Sequence, residues 1–362
     1  MPELSFPTPP QRILIIKPSA IGDVVHTLPI LNLLRRHWPA AHISWLVTPA
    51  CAGLLENHPQ LDEVIHFERR RFGQGWWNPR ATIGLFEFTR ALRRGGFDLV
   101  LDLQGLFRSG WLAAKTRSPV RVGFANAREF GWIFYTHRVA VDSVEQHAIE
   151  RYLKLVDALG VPRSPVEFVF NTTDADRAYV DGLLPREARE RGYAVLLPGT
   201  NWATKRWPAG NFSALLAPLK ERFGLFPVLA GGSGDRALAQ EIIGRRDAGG
   251  AEVLDLSGRT SLPQLTALLE RASLVIANDS GPMHIAAALR RPLVALFGPT
   301  NSIRTGPYGR DDAVLRLDIP CSPCYSRRCS HRSCLQQLSV ASVLGQAEIQ
   351  LAANTPKSLL ST

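Results

Sequence analysis

Three short segments hold the side chains that acid–base chemistry and phosphate binding require. The first, Lys17-Pro18-Ser19-Ala20-Ile21-Gly22-Asp23, sets a carboxylate at the start of a helical pattern. Asp caps helices well, so Asp23 can serve that structural end alone. It can also act as a general base, with Gly22 allowing a substrate close to the backbone. The second segment, Pro198 to Pro208, lies between a strand and a helix and holds Thr200, Trp202, the Lys205-Arg206 pair and Trp207. Lys is a mobile cation suited to a phosphate. The plainer use is a solvated charge pair, with one Trp closing the core. The third, Asn278-Asp279-Ser280-Gly281-Pro282-Met283-His284, opens a helix. Asp279 or Ser280 can cap it, Pro282 suits its first turn, and the amides of Ser280, Gly281 and Met283 are left for a ligand. Such a terminus binds a phosphate through backbone donors and the positive end of its dipole. His284, one turn further in, is either another donor or a satisfied core histidine.

Two further clusters suggest other chemistry. Gly232-x-Gly234-x-x-Ala237, with Asp255 about 20 residues on, fits the dinucleotide fingerprint and so an NAD-dependent oxidoreductase. Against that, the loop falls in the second strand–helix turn of its series, and hydride transfer leaves the other phosphate-type loop unexplained. Cys321, Cys324, Cys329 and Cys334 cluster around His331 at a spacing that could seat a structural zinc. Only one pair has knuckle spacing, and reduced thiols are the default expectation; Cys51 is a core residue.

The segments need elements to position them. Arg12–Ile16 is an apolar, β-branched run of the kind that forms a strand buried on both faces. Helical spacing follows over Val24–His37. Strands are expected at Ile43–Val47, Glu63–Phe67 and Leu99–Leu103, with a helix over Ala81–Arg93. The rhythm restarts with strand Ala194–Leu197, helix Asn211–Phe223, strand Phe226–Leu229, helix Arg236–Arg245 and strand Val253–Leu256. Helix Pro263–Arg271 and strands Leu274–Ala277 and Leu293–Phe297 complete it. Alternation of this kind predicts parallel, doubly wound sheets, with ligands at the carboxyl ends of the strands. Gly160–Arg191 reads as linker plus a helix, with the domain boundary near 170–190. Val340–Ala353 is expected to pack back as a helix, and Asn354–Thr362 to fray.

Composition narrows the partners. Gly (29) and Pro (26) among 362 residues stay below low-complexity levels, and 45% hydrophobic content suits a packed globule. The net charge of +10 favours phosphates, nucleic acid or an anionic membrane surface. Only six of the 42 basic residues are Lys. Arginine is the better fork for phosphate, although genomic drift from Lys to Arg gives the same bias. The arginines spread through both halves and no recognition motif appears, so nucleic acid is not an expected partner. No apolar run is long enough to span a bilayer, and the first eleven residues do not form a secretory signal, so a cytoplasmic location is expected.

Lys17-Pro18-Ser19-Ala20-Ile21-Gly22-Asp23-Val24-Val25-His26-Thr27-Leu28-Pro29, then Asp102-Leu103-Gln104-Gly105-Leu106-Phe107-Arg108-Ser109, then Asn278 to His284 with Phe297-Gly298-Pro299-Thr300 form a recognisable series. In this order and spacing they resemble the family 9 glycosyltransferases, the ADP-heptose:lipopolysaccharide heptosyltransferases. The resemblance runs from about 12 to 345. It implies an α/β GT-B fold of two Rossmann-like doubly wound domains facing a central cleft. Residues 12–170 would bind the acceptor, 190–335 the ADP-sugar, and 336–353 would form the returning helix. It implies inverting, metal-independent transfer of heptose from ADP-heptose to the Kdo/heptose inner core of lipopolysaccharide. No cofactor is implied, and the place of work is the cytoplasmic, anionic face of the inner membrane. Asp23 matches the proposed general base. Thr200, Lys205, Asp235, Asp279, Ser280, Gly281 and His284 match donor-side positions, Asp235 near the nucleoside. Lys17, Ser19, Gln104, Arg108 and Arg128 match the acceptor side. Arg69 to Arg71, Arg128 and the Gln146–Arg151 run are similar to heptosyltransferase I, whereas the Cys321–Cys334 tail is more similar to heptosyltransferase II.

Overall fold

The computed structural model describes residues 4, 6, 8–73, 78–141, 143, 145–246 and 250–354. The chain divides into two compact units, Met1–Asn171 and Thr172–Thr362. The expected frayed end beyond residue 354 lies outside the described residues.

The first unit is built on β1 (Arg12–Ile16), β2 (His42–Val47), β3 (Glu63–His66), β4 (Leu99–Asp102), β5 (Val120–Phe124) and β6 (His137–Val139). They run parallel in the order β3-β2-β1-β4-β5-β6. Ile13 to Ile16 are completely buried, as a central parallel strand covered on both faces requires. The register sets Ile16 beside Leu46 on one side and Asp102 on the other, so the residues after β1 and β4 emerge together.

The second unit repeats the plan with β7 (Tyr193–Leu197), β8 (Phe226–Leu229), β9 (Leu254–Asp255), β10 (Leu274–Asn278), β11 (Leu293–Phe297) and β12 (Val314–Arg316). Its order is β12-β11-β10-β7-β8-β9. Numbered within each unit, both sheets read 3-2-1-4-5-6, the doubly wound dinucleotide-binding order. The strand order reverses between β1 and β4, and again between β7 and β10. Those two points are where loops diverge and leave a ligand crevice.

Local departures from the sequence expectation have physical causes. The helix expected over Val24–His37 is two helices, Ile21–Val25 and Leu28–His37. Pro29 has no N–H and its ring excludes the carbonyl four residues back, so the chain restarts with Pro29 in a first turn. Pro218 divides the helix expected over Asn211–Phe223 in the same way, into Ala209–Ser213 and Leu216–Phe223. The strand expected at Val253–Leu256 keeps only Leu254–Asp255. The stretch expected as a linker holds helices Asp174–Leu183 and Arg186–Arg191. Both helices belong to the second unit, where Arg177 Nε meets Glu270 Oε2 at 2.9 Å, while the stretch up to Asn171 belongs to the first. The Val340–Asn354 helix sets Val343, Leu344 and Ala347 into that unit's core with Ile276 and Leu296.

Candidate active site

In the first unit, the crevice between β1 and β4 is organised around a buried ammonium. Lys17, the residue after β1, is 3% exposed. Its Nζ donates to the Leu103 carbonyl, after β4, at 3.0 Å and lies 3.3 Å from Asp23 Oδ1. The Tyr152 ring, from the Ala148–Asp157 helix, lies under the same ammonium at 4.9 Å. The Tyr152 hydroxyl donates to Asp23 Oδ1 at 3.2 Å. Asp23 Oδ2 accepts the Ala20 amide at 3.1 Å. One oxygen thus closes the helix start, the structural use of Asp23, while the other meets Lys17 and Tyr152. Asp23 keeps 41% of its side-chain surface open.

These contacts set the charges. Burial opposes ionisation of Asp23, but the Lys17 charge, the Ala20 amide and the Tyr152 hydroxyl outweigh it and hold the carboxyl below the ordinary range. Burial likewise opposes the Lys17 charge, and Asp23 and Tyr152 overcome it, so the ammonium persists. Burial pushes Tyr152 up to about 12, with the neighbouring Asp23 charge acting in the same direction against Lys17. Lys17, expected on the acceptor side, has its ammonium spent on these internal partners.

The loop after β4 is braced separately. Asp102 is fully buried and accepts the Gln104 amide at 2.9 Å, the Gly105 amide at 3.2 Å and the Tyr135 hydroxyl at 2.7 Å. Burial raises the Asp102 carboxyl despite these donors. Gly123 is required here, because a Cβ would stand 2.3 Å from the Tyr135 ring. Gln104 Oε1 is left buried without a protein partner. The Arg128 amide donates to the Gly105 carbonyl at 2.9 Å, which draws that segment to the same loop. Arg128 and Arg108 are exposed and Ser19 is half-buried.

In the second unit the crevice is organised around a buried carboxylate. Asp279, after β10, is 6% exposed, and its Oδ2 accepts Lys205 Nζ at 2.7 Å and Thr300 Oγ1 at 2.5 Å. Asn278 ties the two crevice loops together. Its Oδ1 accepts the Trp207 amide at 3.1 Å and its Nδ2 donates to the Pro198 carbonyl at 2.9 Å. Lys205 Nζ also lies 4.7 Å over the Trp202 ring. Trp207 is 1% exposed and donates to Leu338 O at 2.9 Å, so one of the two tryptophans closes the core. Thr200 Oγ1 donates to Trp202 O at 2.6 Å, a turn that shapes the loop.

The Gly281–Ala288 helix begins beside this pair. Ser280 is its cap residue in backbone position, yet its hydroxyl makes no capping bond and is buried without a protein partner. Such a group gains most from an incoming polar ligand. Asp279 does not cap; its carboxylate is turned to Lys205 and Thr300. His284 is 7% exposed and interacts within the protein, in keeping with a satisfied histidine. Asp235 Oδ2 accepts the Gly232 amide at 2.9 Å, and a Cβ on Gly199 would collide with its carboxylate at 2.3 Å. Gly199 therefore lets Asp235 lie against the loop that carries Thr200 and Lys205.

The other candidates are located elsewhere. Asp255 accepts Ser257 N at 2.9 Å and Gln240 Nε2 at 3.2 Å, so both its oxygens serve the protein. The five cysteines are free thiols, Cys51 buried as expected. Among the described residues no group of three His, Cys, Asp or Glu is arranged to hold a metal. The Cys321–Cys334 segment instead braces the crevice loops: the Cys324 amide donates to Pro299 O at 3.0 Å, and Thr204 Oγ1 to Ser326 O at 2.8 Å. The Arg327 guanidinium lies 4.5 Å from the Trp202 ring.

Residues 85–335 match the family model described as glycosyltransferase family 9 (heptosyltransferase). The chain belongs to this family. It is 33% identical over 325 residues to lipopolysaccharide heptosyltransferase 1 of Pseudomonas aeruginosa, covering 89% of this chain and 88% of that protein. Lipopolysaccharide heptosyltransferase 2 of Escherichia coli K12 is 27% identical, over 84% of this chain and 88% of its own length. Among solved structures, the E. coli heptosyltransferase WaaC with ADP is 28% identical and superposes with a TM-score of 0.74, over 94% of this chain and 99% of that one. Family 9 membership corrects the oxidoreductase alternative. The glycine loop after β8 is where Asp235 folds back on Gly232, a use that needs no dinucleotide.

Three residues of this family 9 chain escaped the sequence reading of the site. Tyr152 and Asp23 are 129 positions apart, and nothing local marks a tyrosine in an amphipathic helix as the partner of a carboxylate. Thr300 was visible only within the Phe297–Thr300 motif. Asn278 was quoted as part of a loop but carries the brace between both crevice loops.

Proposed function

We propose that this chain transfers heptose from ADP-heptose to the Kdo/heptose inner core of lipopolysaccharide, with inversion at the anomeric carbon. The observation that carries the reading is the pair of Lys–Asp centres, one offering a carboxylate and the other a cation. In this reading an acceptor hydroxyl oxygen attacks C1 as its proton passes to Asp23. The C1–oxygen bond to the diphosphate breaks, and ADP leaves with the electron pair. Lys205, the first amides of the Gly281–Ala288 helix and the Ser280 hydroxyl meet the negative charge that grows on the diphosphate. Fixed donors of this kind are usually the largest catalytic term. Asp235 and Thr200 line the donor side; Ser19, Gln104, Arg108 and Arg128 meet the acceptor, with Lys17 acting through Asp23.

These donors are the chain's own, and transfer is proposed to proceed without a divalent ion. The acceptor is lipid-linked, so the protein works peripherally at the cytoplasmic face of the inner membrane. No helix among the described residues is long and apolar enough to cross a membrane. The test is transfer from ADP-heptose to a panel of truncated core acceptors, with and without excess EDTA and with NAD reduction as the control. Heptosylated product that persists in EDTA is expected. Transfer to none of the panel defeats the assignment, and abolition by EDTA restored by a divalent ion defeats metal independence.

A further inference from the structure

The Pro79–Arg94 helix presents one face to the first unit and, among the described residues, leaves the other exposed. Asn78 Oδ1 caps it by accepting the Arg80 amide at 3.1 Å, and Pro79 occupies its first turn. Ala81 and Leu92 are buried, and Phe88 stacks with Phe67 and Phe72 at 5.6 and 5.2 Å between centroids. At about 100° per residue, Arg80, Ile83, Phe86, Glu87, Arg90, Arg93 and Arg94 fall on the opposite side within an arc of about 140°. All seven are exposed, Ile83 at 57% and Phe86 at 68%.

That face has a distinct chemistry. Its four arginines face a single acid, Glu87, and among the described residues none of the four makes an ion pair; Glu68 is taken by Arg71 at 3.1 Å. A furrow of about 600 Å³ adjoins it, with Arg71 beside Arg90 and Arg94. Large apolar side chains interleaved with arginines on a solvent face fit one kind of surface. The apolar groups enter the acyl boundary while the guanidinium groups stay among the phosphates. We propose that the outward face of the Pro79–Arg94 helix docks this protein on an anionic lipid bilayer.

The proposal deepens the functional reading above, from which it takes only the membrane as the place of work. Its test uses vesicles without any sugar. Full-length protein is floated with vesicles of phosphatidylcholine and phosphatidylglycerol, against phosphatidylcholine alone, at low and high salt. Wild type is expected to float with the anionic vesicles and to be released by salt. Each arginine near such a surface contributes roughly a fourfold to sixfold factor, so Arg90→Gln/Arg94→Gln should weaken binding about 30-fold. Ile83→Ser/Phe86→Ser should remove the part that survives high salt. The matched loss of charge in the second unit, Arg186→Gln/Arg189→Gln, should leave vesicle binding intact, and thermal melting checks that every variant folds.

Equal weakening by both arginine pairs, or none by the helix variants, overturns the assignment. So does helix-dependent binding to a single-stranded oligonucleotide without vesicle binding. Transfer to a water-soluble core fragment should be unchanged in the helix variants, and its loss would reassign the face to the acceptor site. Vesicle binding that behaves as described while no core acceptor is heptosylated would defeat the functional reading and leave this one standing.

Discussion

The two units solve one topological problem with opposite electrostatics. Each has the strand order 3-2-1-4-5-6, and each sets a lysine–aspartate pair at the reversal point: both members follow β1 in the first unit, whereas they follow β7 and β10 in the second. In the first unit the lysine side chain is 4% exposed and the aspartate 41%. In the second the lysine is 18% exposed and the aspartate 6%. Whichever partner is buried becomes the anchor, and the other becomes the group offered outward. The first crevice therefore presents a carboxylate suited to taking a proton. The second presents a cation suited to a departing diphosphate. An ion pair taken only as a stabilising contact would miss this asymmetry, on which the proposed division into base and anion site rests.

The most damaging change should be to the offered carboxylate. Asp23→Asn is expected to lower turnover by about 10²–10⁴-fold while ADP binding by calorimetry stays normal. Turnover near wild type would end the parallel, leaving the first centre purely structural. Next comes the offered cation. Lys205→Met leaves Asp279 buried without its partner, a loss of about 3–5 kcal/mol of fold stability in such settings, and should also weaken ADP affinity measured on the folded variant. Unchanged affinity would mean that Lys205 serves Asp279 and not the donor.

The anchors should act through pH. Asp23 must be ionised to accept a proton, and its pKa is depressed, so the acidic limb of kcat should lie below the usual carboxylate range near 4. Lys17→Met removes the opposing charge. The limb should then move upward, with activity lost first at low pH and recovered as pH rises. The same linkage gives the pair's stabilisation: present above the unfolded carboxyl pKa and lost as pH falls through the depressed folded value. A limb that stays in place would show that Lys17 does not set the charge of Asp23. The smallest effect is expected of Tyr152→Phe, which deletes one hydrogen bond to the same oxygen. It should shift the limb upward by less than about one pH unit, with KM for ADP-heptose unchanged. A change in KM alone would move Tyr152 from positioning Asp23 to binding substrate.

Much of the fold was legible because parallel strands buried on both faces are written as apolar runs. Arg12–Ile16, Phe226–Leu229 and Leu293–Phe297 needed no tertiary information. The β5, β6 and β12 strands were missed: each carries a basic residue in a short run, and the edge position of β6 and β12 relaxes the apolar requirement. Helix breaks at Pro29 and Pro218 were also passed over, because periodicity of apolar residues continues through a proline that hydrogen bonding cannot. The site was legible as loops: Asp23, Lys205 and Asp279 stand out by type and by place after a strand. Their partners were not. Tyr152, Thr300 and the Leu103 carbonyl arrive from distant segments.

The amino-acid sequence thus determined the inventory. Two doubly wound series carry a lysine and an aspartate near each reversal point, with glycine and proline where loops must turn into helices. Only the tertiary structure decided which member of each pair is anchored. Leu103 and Tyr152 enclose Lys17, while Thr300 and the Asn278 brace enclose Asp279. A charge withdrawn from water persists only when such partners hold it, and the group left at the surface is the one that chemistry can reach.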